Sequence, residues 1–395
     1  MHCVVLVRPP FASRQDSWEQ FAVAQRPIYH MDVFPNRVLQ VGAIGLLLLS
    51  GTVGRAAYVE SGSATVRDEI EPRMVAPRPP LRPRDDAVSR LVRSLRVGEA
   101  VHSGPLLVFP LYVDRGTRSG VIRTMDEALG RGRLDIREAG SARVPRLEVR
   151  NRDRNYVFLM SGEVIAGGKQ NRMVQHDVLL PPRSEVIRVP VYCVERDRWT
   201  DSAAPFKAGR VLVYPALRRK AASAESQESI WQSIDRCRRD ARVKSSTGDY
   251  LDLTSSPALV SRLDRVARLL DPVLTRRSVG AVAMIGNQVA ACDIFSDPQL
   301  FARLWPKICR SYGTQVGGTR ADGRHDDATR RWSPRGRDIV RRLLDRALTA
   351  RREDAHTPGA GYRLRLSGSA EGGALIWNDQ VVHASFWPSR AWKVN

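Results

Sequence analysis

Residues 156–175, YVFLMSGEVIAGGKQNRMVQ, contain two apolar runs and then a polar stretch that a buried strand does not need. The runs YVFLM and VIA lie on either side of a short turn at Gly162, and this pattern predicts two strands. The second run ends in GGKQNR (167–172). Glycine permits positive φ and close backbone approach, and the four polar residues offer hydrogen bonds and positive charge. We therefore predict that the strand leaves the core where a binding site begins.

Two later stretches repeat the pattern of strand, turn and second strand. Residues 157–168, 282–293 and 375–385 align without gaps, with glycine, asparagine or aspartate at the turn, then glutamate or glutamine, then valine. These turn residues predict tight β-hairpins. A repeated structural unit and a chance match among common hairpins are both open.

Helix signals appear mainly after residue 225. Ile230, Ile234 and Cys237 recur at helical spacing, and a capping residue followed by proline predicts further helix starts at 256–257, 297–298 and 333–334. Residues 98–215 are strand-rich, and TMDE (124–127) is a capping box for a short helix. The predicted fold class is α+β, with antiparallel β-hairpins or sheets and amphipathic helices packed on one side. Pro190, inside the run EVIRVPVYCV, predicts an edge strand.

The chain is strongly basic, with a formal net charge of +21 over 395 residues. Of its basic residues, 57 are arginine and six are lysine, a bias that indicates base composition rather than phosphate contacts. The window 301–352 holds 14 basic and five acidic residues, so it contributes +9. Solvated, arginine-rich helix faces explain this window better than nucleic-acid binding does.

The five cysteines form no C-x-x-C motif, and no histidine has zinc-like spacing from any of them. We therefore predict no metal site. Cys292 and Cys309 lie on apolar stripes, where buried free thiols are common.

The N-terminal region is predicted to lie outside the folded domain. Residues 38–54 are 17 uncharged residues, the lower limit for a membrane span, and they predict an export signal or an anchor within an extension, 1–58. The alternative is an apolar helix or translated upstream sequence. Export or membrane anchoring is favoured over a cytoplasmic location, and any membrane contact is expected through this segment alone. Residues 59–97 are rich in proline and arginine and predict a linker. The folded domain is expected over 98–395, strand-rich to 215 and built of helices and hairpins from 226.

The polar stretch 167–172 is not a phosphate-binding loop of the G-x-x-x-x-G-K-[ST] type, because its register and its hydroxyl are both wrong. Gly167 and Gly168 allow a ligand to approach, and Lys169 and Arg172 carry positive charge for an anionic group. Gln170 and Asn171 suit a ribose hydroxyl or an amide. The alternative is a glycine bulge that leads into an ordinary polar strand edge.

A second polar cluster, YCVERDRW (192–199), follows a predicted strand. Glu195, Arg198 and Trp199 form one candidate set, with the indole available for stacking on a planar group. Cys193 follows the buried face, so we interpret it as a core residue rather than a nucleophile.

GEVIAGGKQNR, LLPPRSEVIRVPVYCVERDRW and VAMIGNQVAACDIFSDPQLFARLWPKICRSY together resemble the ARG and rhodanese-phosphatase-superfamily-associated protein domain. The resemblance runs from LLVFPLYV to VVHASFW. The family patterns G-E-x-x-x-G-A-K-Q-N-R and C-V-E-x-x-R-W match here, except that Gly168 replaces alanine and Tyr192 and Asp197 replace smaller residues. The resemblance implies a link with ADP-ribosylglycohydrolases, and so with ADP-ribose or NAD metabolism, but no particular reaction.

Three hypotheses follow. The first is a site for an anionic, nucleotide-like ligand at residues 167–172, with Arg198 and Trp199, in which Glu163 or Glu195 acts as base if hydrolysis occurs; the cofactor is unknown. The second is a non-catalytic binding or scaffold module outside the cytoplasm, favoured because no Ser/His/Asp order, metal cluster or phosphate loop is apparent. The third, nucleic-acid binding, ranks last. His176 is near the polar stretch, whereas His383 is expected in the core.

Overall fold

The computed structural model describes residues 86–117, 122–139, 146–198, 204–316 and 325–389, with the backbone alone for 325–333. The helices are α1 (Ala87–Ser94), α2 (Met125–Gly130), α3 (Pro215–Ala222), α4 (Gln227–Asp240), α5 (Leu251–Ser255), α6 (Pro257–Leu270), α7 (Pro298–Gln315) and α8 (His325–Thr349). The first twelve strands are β1 (Arg96–Val97), β2 (Val101–Ser103), β3 (Leu106–Tyr112), β4 (Ile122–Thr124), β5 (Leu134–Glu138), β6 (Arg146–Asn151), β7 (Tyr156–Leu159), β8 (Glu163–Gly168), β9 (Arg172–Val174), β10 (Val178–Leu180), β11 (Ile187–Cys193) and β12 (Ala204–Leu212). The others are β13 (Ser278–Ile285), β14 (Gln288–Ile294), β15 (Arg351–Ala355), β16 (Tyr362–Ser367), β17 (Ala370–Trp377) and β18 (Gln380–Pro388).

The largest sheet has nine strands, in the order β1-β3-β13-β14-β18-β17-β16-β15, with β2 beside β3. Its strands pair antiparallel, and the apolar run of β3 shows how it is covered. Leu107 and Phe109 point into a core shared with α1 and α8, whereas Leu106 and Val108 point into a core shared with α6 and α7. The predicted α+β class is confirmed, and this sheet carries helices on both faces rather than on one.

Two smaller sheets hold the stretch that contains the polar motif. One has the order β10-β7-β4 and the other the order β12-β8-β9-β11-β6-β5. Strands β7 and β8 are consecutive in the chain, yet they belong to different sheets because the chain turns sharply at Met160–Glu163. β8 is therefore buried along its whole length between β12 and β9.

Two of the three predicted hairpins are present. β13 pairs with β14, and β17 pairs with β18 through a turn in which Asn378 and Asp379 both have positive φ. The two hairpins are neighbours, since β14 pairs with β18. The prediction is wrong for 157–168, because β7 and β8 do not pair with each other.

The predicted helix starts are confirmed at three places and wrong at a fourth. Thr124 and Glu127 form the expected capping box of α2, α6 begins at Pro257, and the Asp297 carboxylate accepts from the Gln299 N–H at the start of α7. In contrast, α8 already begins at His325 and runs through Pro334. A proline inside a helix removes one backbone hydrogen bond, and the rest of α8 is held by its apolar contacts with the nine-stranded sheet.

Pro190 lies in an interior strand, so the edge-strand prediction is wrong. β11 pairs with β6 over Ile187–Pro190 and with β9 over Val191–Cys193. Pro190 occupies the residue at which the partner changes, and its carbonyl still accepts from the Gln175 N–H. A missing N–H is tolerated at such a switch between partner strands.

The last part of the predicted linker, 59–97, contains regular secondary structure. Residues 86–97 form α1 and β1, and Val88 and Val92 are buried against the nine-stranded sheet. The predicted leader, residues 38–54, lies outside the described residues. Within the described ranges, the structure contains no helix long and apolar enough to cross a membrane. The prediction for Cys292 and Cys309 is confirmed, since both are buried and free.

Candidate functional site

The two polar clusters predicted from the sequence meet in space, and we call residues 167–172 and 193–198 together the motif junction. The register of β9 and β11 sets Arg172 opposite Cys193, and the Val194 N–H donates to the Asn171 carbonyl at 3.0 Å. The Asn171 N–H in turn donates to the Glu195 carboxylate at 3.1 Å. Both motifs thus form one hydrogen-bonded unit.

The two glycines of the junction accommodate the chain's own strand β12. Gly167 has φ +114°, and a Cβ there would lie 2.5 Å from the carbonyl oxygen of Pro205. Gly168 has φ +59°, and its Cβ would lie 2.3 Å from the ring of Phe206. The close approach that the sequence predicts is therefore made by backbone and a phenyl ring in this structure.

Arg172 has its hydrogen bonds inside the protein. Its side chain is 5% exposed, and Nη2 lies 3.3 Å from each carboxylate oxygen of Glu138. Nη1 donates to the Gln170 side-chain oxygen at 3.1 Å and to the Cys193 sulfur at 2.9 Å. Burial raises the pKa of the Cys193 thiol, which keeps it protonated at neutral pH. Both side chains are held as structural partners.

Arg198, from the second motif, forms hydrogen bonds with both motifs of the junction. Its guanidinium pairs with Glu195, donates to the Gly168 carbonyl at 3.0 Å, and reaches the Asn171 side-chain oxygen at 3.2 Å. The hydrogen bond that Arg198 donates to Glu195 raises the pKa of Arg198. Lys169 is half-buried, and its backbone N–H donates to Glu138 at 3.1 Å. Trp199 lies outside the described residues.

Asp249 is a member of this unit that the sequence analysis missed. One carboxylate oxygen accepts from the Asn171 amide at 2.8 Å, and the other accepts from the Leu251 N–H, at the start of α5, at 3.1 Å. Burial raises the pKa of Asp249 to about 6. The turn signal Gly248-Asp249 marks the position, but nothing in the sequence relates it to a motif 78 residues away. Through Asp249, Asn171 fixes the position of α5.

The other end of β8 carries Glu163, the first charged residue of the motif. Its carboxylate is fully buried, accepts from the Met160 N–H at 2.8 Å, and forms an ion pair with Lys307 of α7. Lys307 also pairs with Asp126 at 2.9 Å. Burial raises the pKa of Glu163; burial also opposes the charge of Lys307, but the two carboxylates outweigh it and raise the pKa of that ammonium.

Lys307 is also part of the wall of a cavity of about 330 Å³, which we call the α5–α7 cavity. Arg210 and Arg310 line it as well, and no carboxylate is among the described residues of its wall. Arg310 pairs with Asp264, while Arg210 is exposed and forms no ion pair within the described ranges. The remaining lining residues are Gly209, Val211, Leu212, Leu251, Thr254, Ser255, Leu263 and Thr314.

Comparison with known protein families gives one match, to the ARPP-1 domain, described as the ARG and rhodanese-phosphatase-superfamily-associated protein domain. The match covers residues 94–387, which include the motif junction, Glu163 and the α5–α7 cavity. The chain belongs to this family. No curated protein and no solved structure matches the chain. The resemblance inferred from the two motifs is thereby confirmed, and the family is uncharacterised in function.

The ARPP-1 domain also brings a serine and a histidine of β18 together with an aspartate that is 206 residues from the histidine in the sequence. Ser385 Oγ lies 3.3 Å from His383 Nε2, and His383 Nδ1 lies 2.7 Å from Asp177. The serine hydroxyl, however, donates to Asp293 at 2.9 Å, and His383 is fully buried, as predicted for a core residue. Burial opposes the charge of His383, but Asp177 and Asp293 outweigh it and raise its pKa to about 9. Asp177 and Asp293 engage the two imidazole nitrogens, and Asp293 also accepts from the serine hydroxyl, so this cluster is a buried charge network.

Arg218 completes this network. Its guanidinium donates to Asp293 at 3.0 Å and to the Ser385 hydroxyl at 3.0 Å, and Tyr312 donates to Asp293 at 2.8 Å. The network joins α3, α7, β14 and β18 at the centre of the ARPP-1 domain. His176, the other histidine considered, is half-buried, and burial together with Arg363 lowers its pKa to about 4.

The described residues of the ARPP-1 domain contain no group of three or more His, Cys, Asp or Glu side chains arranged to hold a metal ion. Of the predicted site residues, Gly167 to Arg172, Glu195 and Arg198 come together, and Glu163 lies at the opposite end of β8. The residues that line the cavity were missed, because they come from segments spread over residues 209–314.

Proposed function

We propose that this domain binds a small anionic ligand of nucleotide-like chemistry in the α5–α7 cavity. The observation that carries the proposal is the charge of the wall, in which Arg210, Lys307 and Arg310 are cationic and no described residue is acidic. The volume of about 330 Å³ suits a mononucleotide or one end of a larger ligand, since small-molecule pockets span about 300–1,000 Å³.

Lys307 is the deepest of the three cations. Its ammonium has three N–H donors, and Glu163 and Asp126 accept two of them, so one donor is left for the cavity. Neither carboxylate lines the cavity. A ligand anion would therefore meet the positive side of the cluster, with the compensating charges behind it.

The other lining residues suit a sugar and an apolar ring. Thr254, Ser255 and Thr314 each donate their hydroxyl to a backbone carbonyl, so their oxygens are left to accept from ligand hydroxyls. Leu251 and Leu263 provide an apolar wall. Because the resemblance to this family implies a link with ADP-ribosylglycohydrolases, ADP-ribose and NAD are the first ligands to examine.

In this proposal the family motifs do not contact the ligand, and they fix the positions of the residues that line the cavity. Glu163 forms an ion pair with Lys307 of the cavity wall, and Asn171 is connected to α5 through the hydrogen bonds of Asp249. Glu195 is paired with Arg198 and Glu163 is fully buried, so neither candidate base lines the cavity. The proposal is therefore ligand binding without an assigned reaction.

A scaffold role is the second candidate, and the internal pairing of the motif junction favours it. Arg172 and Asn171 bond to side chains of the same domain, which is what a purely structural motif requires. In this case the junction would stabilise a surface for a partner, and the cavity would bind none of the nucleotides tested.

Calorimetric titration of ADP-ribose and NAD into the full chain separates the two candidates. The test variant is Arg210→Gln with Arg310→Gln, which removes two lining charges from side chains that are at least partly exposed. The control is Arg265→Gln with Arg268→Gln, two exposed arginines of α6 that do not line the cavity. We expect the test variant to weaken binding by at least about tenfold, because the loss of even one charge-assisted hydrogen bond costs about 1.5–3 kcal/mol.

The control variant is expected to bind as the unaltered chain does. Equal affinities in the test and control variants would place the ligand elsewhere. Absence of binding to the folded, unaltered chain would favour the scaffold role.

A further inference from the structure

An open basin of about 620 Å³ lies beside the α5–α7 cavity. We call it the 242–256 basin, and its lining residues are Arg242, Val243, Lys244, Ser245, Ser246, Asp252, Ser255 and Ser256. Ser255 lines both the basin and the cavity. The two depressions are therefore contiguous at the last residue of α5.

Helix α5 separates the two depressions. Leu251, Thr254 and Ser255 share one face at i, i+3 and i+4, and this face lines the cavity. Asp252 and Ser256, four residues apart, line the basin on the adjoining face. A helix with its side chains is about 10 Å across, so a ligand that occupies both depressions must extend by about that distance.

The chemistry of the basin resembles that of the cavity. Arg242 and Lys244 are exposed, and neither is ion-paired with another residue in the described part of the chain. Four serines add hydroxyl groups. Asp252 is the one carboxylate among the described lining residues, and it suits a sugar hydroxyl. Because Arg242 and Lys244 outnumber the single carboxylate, Asp252, the basin can bind a second anionic group.

The loop that carries the basin is fixed by the motif junction. The backbone N–H groups of Arg196 and Asp197 donate to the Thr247 carbonyl at 3.0 and 2.9 Å. The Asp249 N–H donates to the Ser245 hydroxyl oxygen at 3.0 Å. A loop held in this way loses little conformational entropy when it binds a ligand.

From this arrangement we infer that the 242–256 basin is a second subsite, so that the ligand is an elongated nucleotide with two separate anionic groups. The first group occupies the α5–α7 cavity and the second is held by Arg242 and Lys244. This inference rests on the proposed function, because the cavity is its first subsite. A nucleotide whose ribose carries a pyrophosphate on one hydroxyl and a phosphate on another has two such groups.

NAD and NADP form a matched pair of probes, since they differ only in the phosphate on the 2′-hydroxyl of the adenosine ribose, whose 5′-hydroxyl carries the pyrophosphate. Both are titrated calorimetrically into the full chain, into Arg242→Gln with Lys244→Gln, and into the control Arg265→Gln with Arg268→Gln. Thermal unfolding checks that each variant is folded. We expect NADP to bind at least about tenfold more tightly than NAD to the unaltered chain, the effect of one charge-assisted contact.

The basin variant should lose this preference while its affinity for NAD stays unchanged, and the control should retain it. Equal affinities of NAD and NADP for the unaltered chain would overturn the second subsite and leave the proposed function intact. A preference that persists in the basin variant would also overturn it, by placing the second phosphate elsewhere. If neither NAD nor NADP binds, the second subsite fails, and the titration with ADP-ribose decides the proposed function.

Discussion

Lys307 connects the family motif with the cavity. Its ammonium is held between the fully buried Glu163 and the partly exposed Asp126, and it also lines the α5–α7 cavity. A buried ion pair adds little net stability over an apolar pair, but removal of one partner leaves an uncompensated charge. Such a pair is explained better by a need for positive charge at this place than by a gain in stability.

The variant Lys307→Met tests the coupling between Lys307 and Glu163. We expect it to lower the free energy of unfolding by about 3–5 kcal/mol, because the Glu163 carboxylate loses its buried partner. The double variant Lys307→Met with Glu163→Gln should recover most of this loss, since glutamine is neutral and can still accept from the Met160 N–H. Urea denaturation of the unaltered chain, of both variants and of Glu163→Gln alone gives the four free energies of unfolding of a double-mutant cycle. Additive effects in the double variant would contradict the pairing.

Asp249 gives the domain a pH dependence with a defined sign. Burial raises its pKa from 3.8 to about 6, so between these values the folded chain holds a proton that the unfolded chain has lost. Its contribution to the free energy of unfolding therefore falls as the pH rises from about 4 to about 6.

In Asp249→Asn, the decrease in the free energy of unfolding that Asp249 causes between about pH 4 and about pH 6 should disappear. The variant is less stable overall, because one of the two hydrogen bonds that the Asp249 carboxylate accepts is lost. Urea denaturation of both chains at a series of pH values gives the difference. Parallel curves for the two chains would show that Asp249 does not titrate in this window.

At the scale of elements, strand β8 contacts a different part of the cavity wall or its supporting loop at each of its two ends. Glu163 at its first residue holds α7, and the motif junction at its last residues holds α5 and the 245–250 loop. Since β8 lies between β12 and β9, neither end can shift without moving a neighbouring strand. The motif therefore acts as a frame that sets α5 and α7 on either side of the cavity.

The variant Gly167→Ala tests the close contact between β8 and β12. A Cβ at φ +114° is strained and would lie 2.5 Å from the Pro205 carbonyl oxygen, so we expect a loss of about 2 kcal/mol or more. The matched control is Gly130→Ala, where a Cβ meets nothing within 4 Å. Denaturant unfolding should show the control within about 0.5 kcal/mol of the unaltered chain. Equal stability of the two variants would mean that β12 can move away from β8.

At the scale of the whole molecule, the sequence predicts what local patterns encode. The α+β class, the start of α7 and the two hairpins of the nine-stranded sheet follow from alternation, caps and turn residues. The third hairpin could not be predicted correctly, because the choice of partner for β7 and β8 depends on β4, β10, β9 and β12. Pairing between distant strands leaves no local signal.

The candidate site was likewise predictable from the sequence only in part. The motifs predict the junction, but they do not reveal that its polar groups satisfy one another, since Glu138 and Asp249 come from segments on either side of the motif. The cavity was not predicted because its cations come from β12 and α7, about 100 residues apart in the chain. Arg210 and Lys307 resemble any other basic residue of an arginine-rich sequence.

The central claim, that the ligand binds in the cavity and not at the junction, is tested most directly by photo-crosslinking with an azido-adenine analogue of ADP-ribose and peptide mapping of the full chain. We predict labels on the cavity and basin segments, 209–212, 242–256 or 307–314, which unlabelled ADP-ribose competes away. Competed labels confined to 167–172 and 193–198 would contradict the account and return the site to the motif junction.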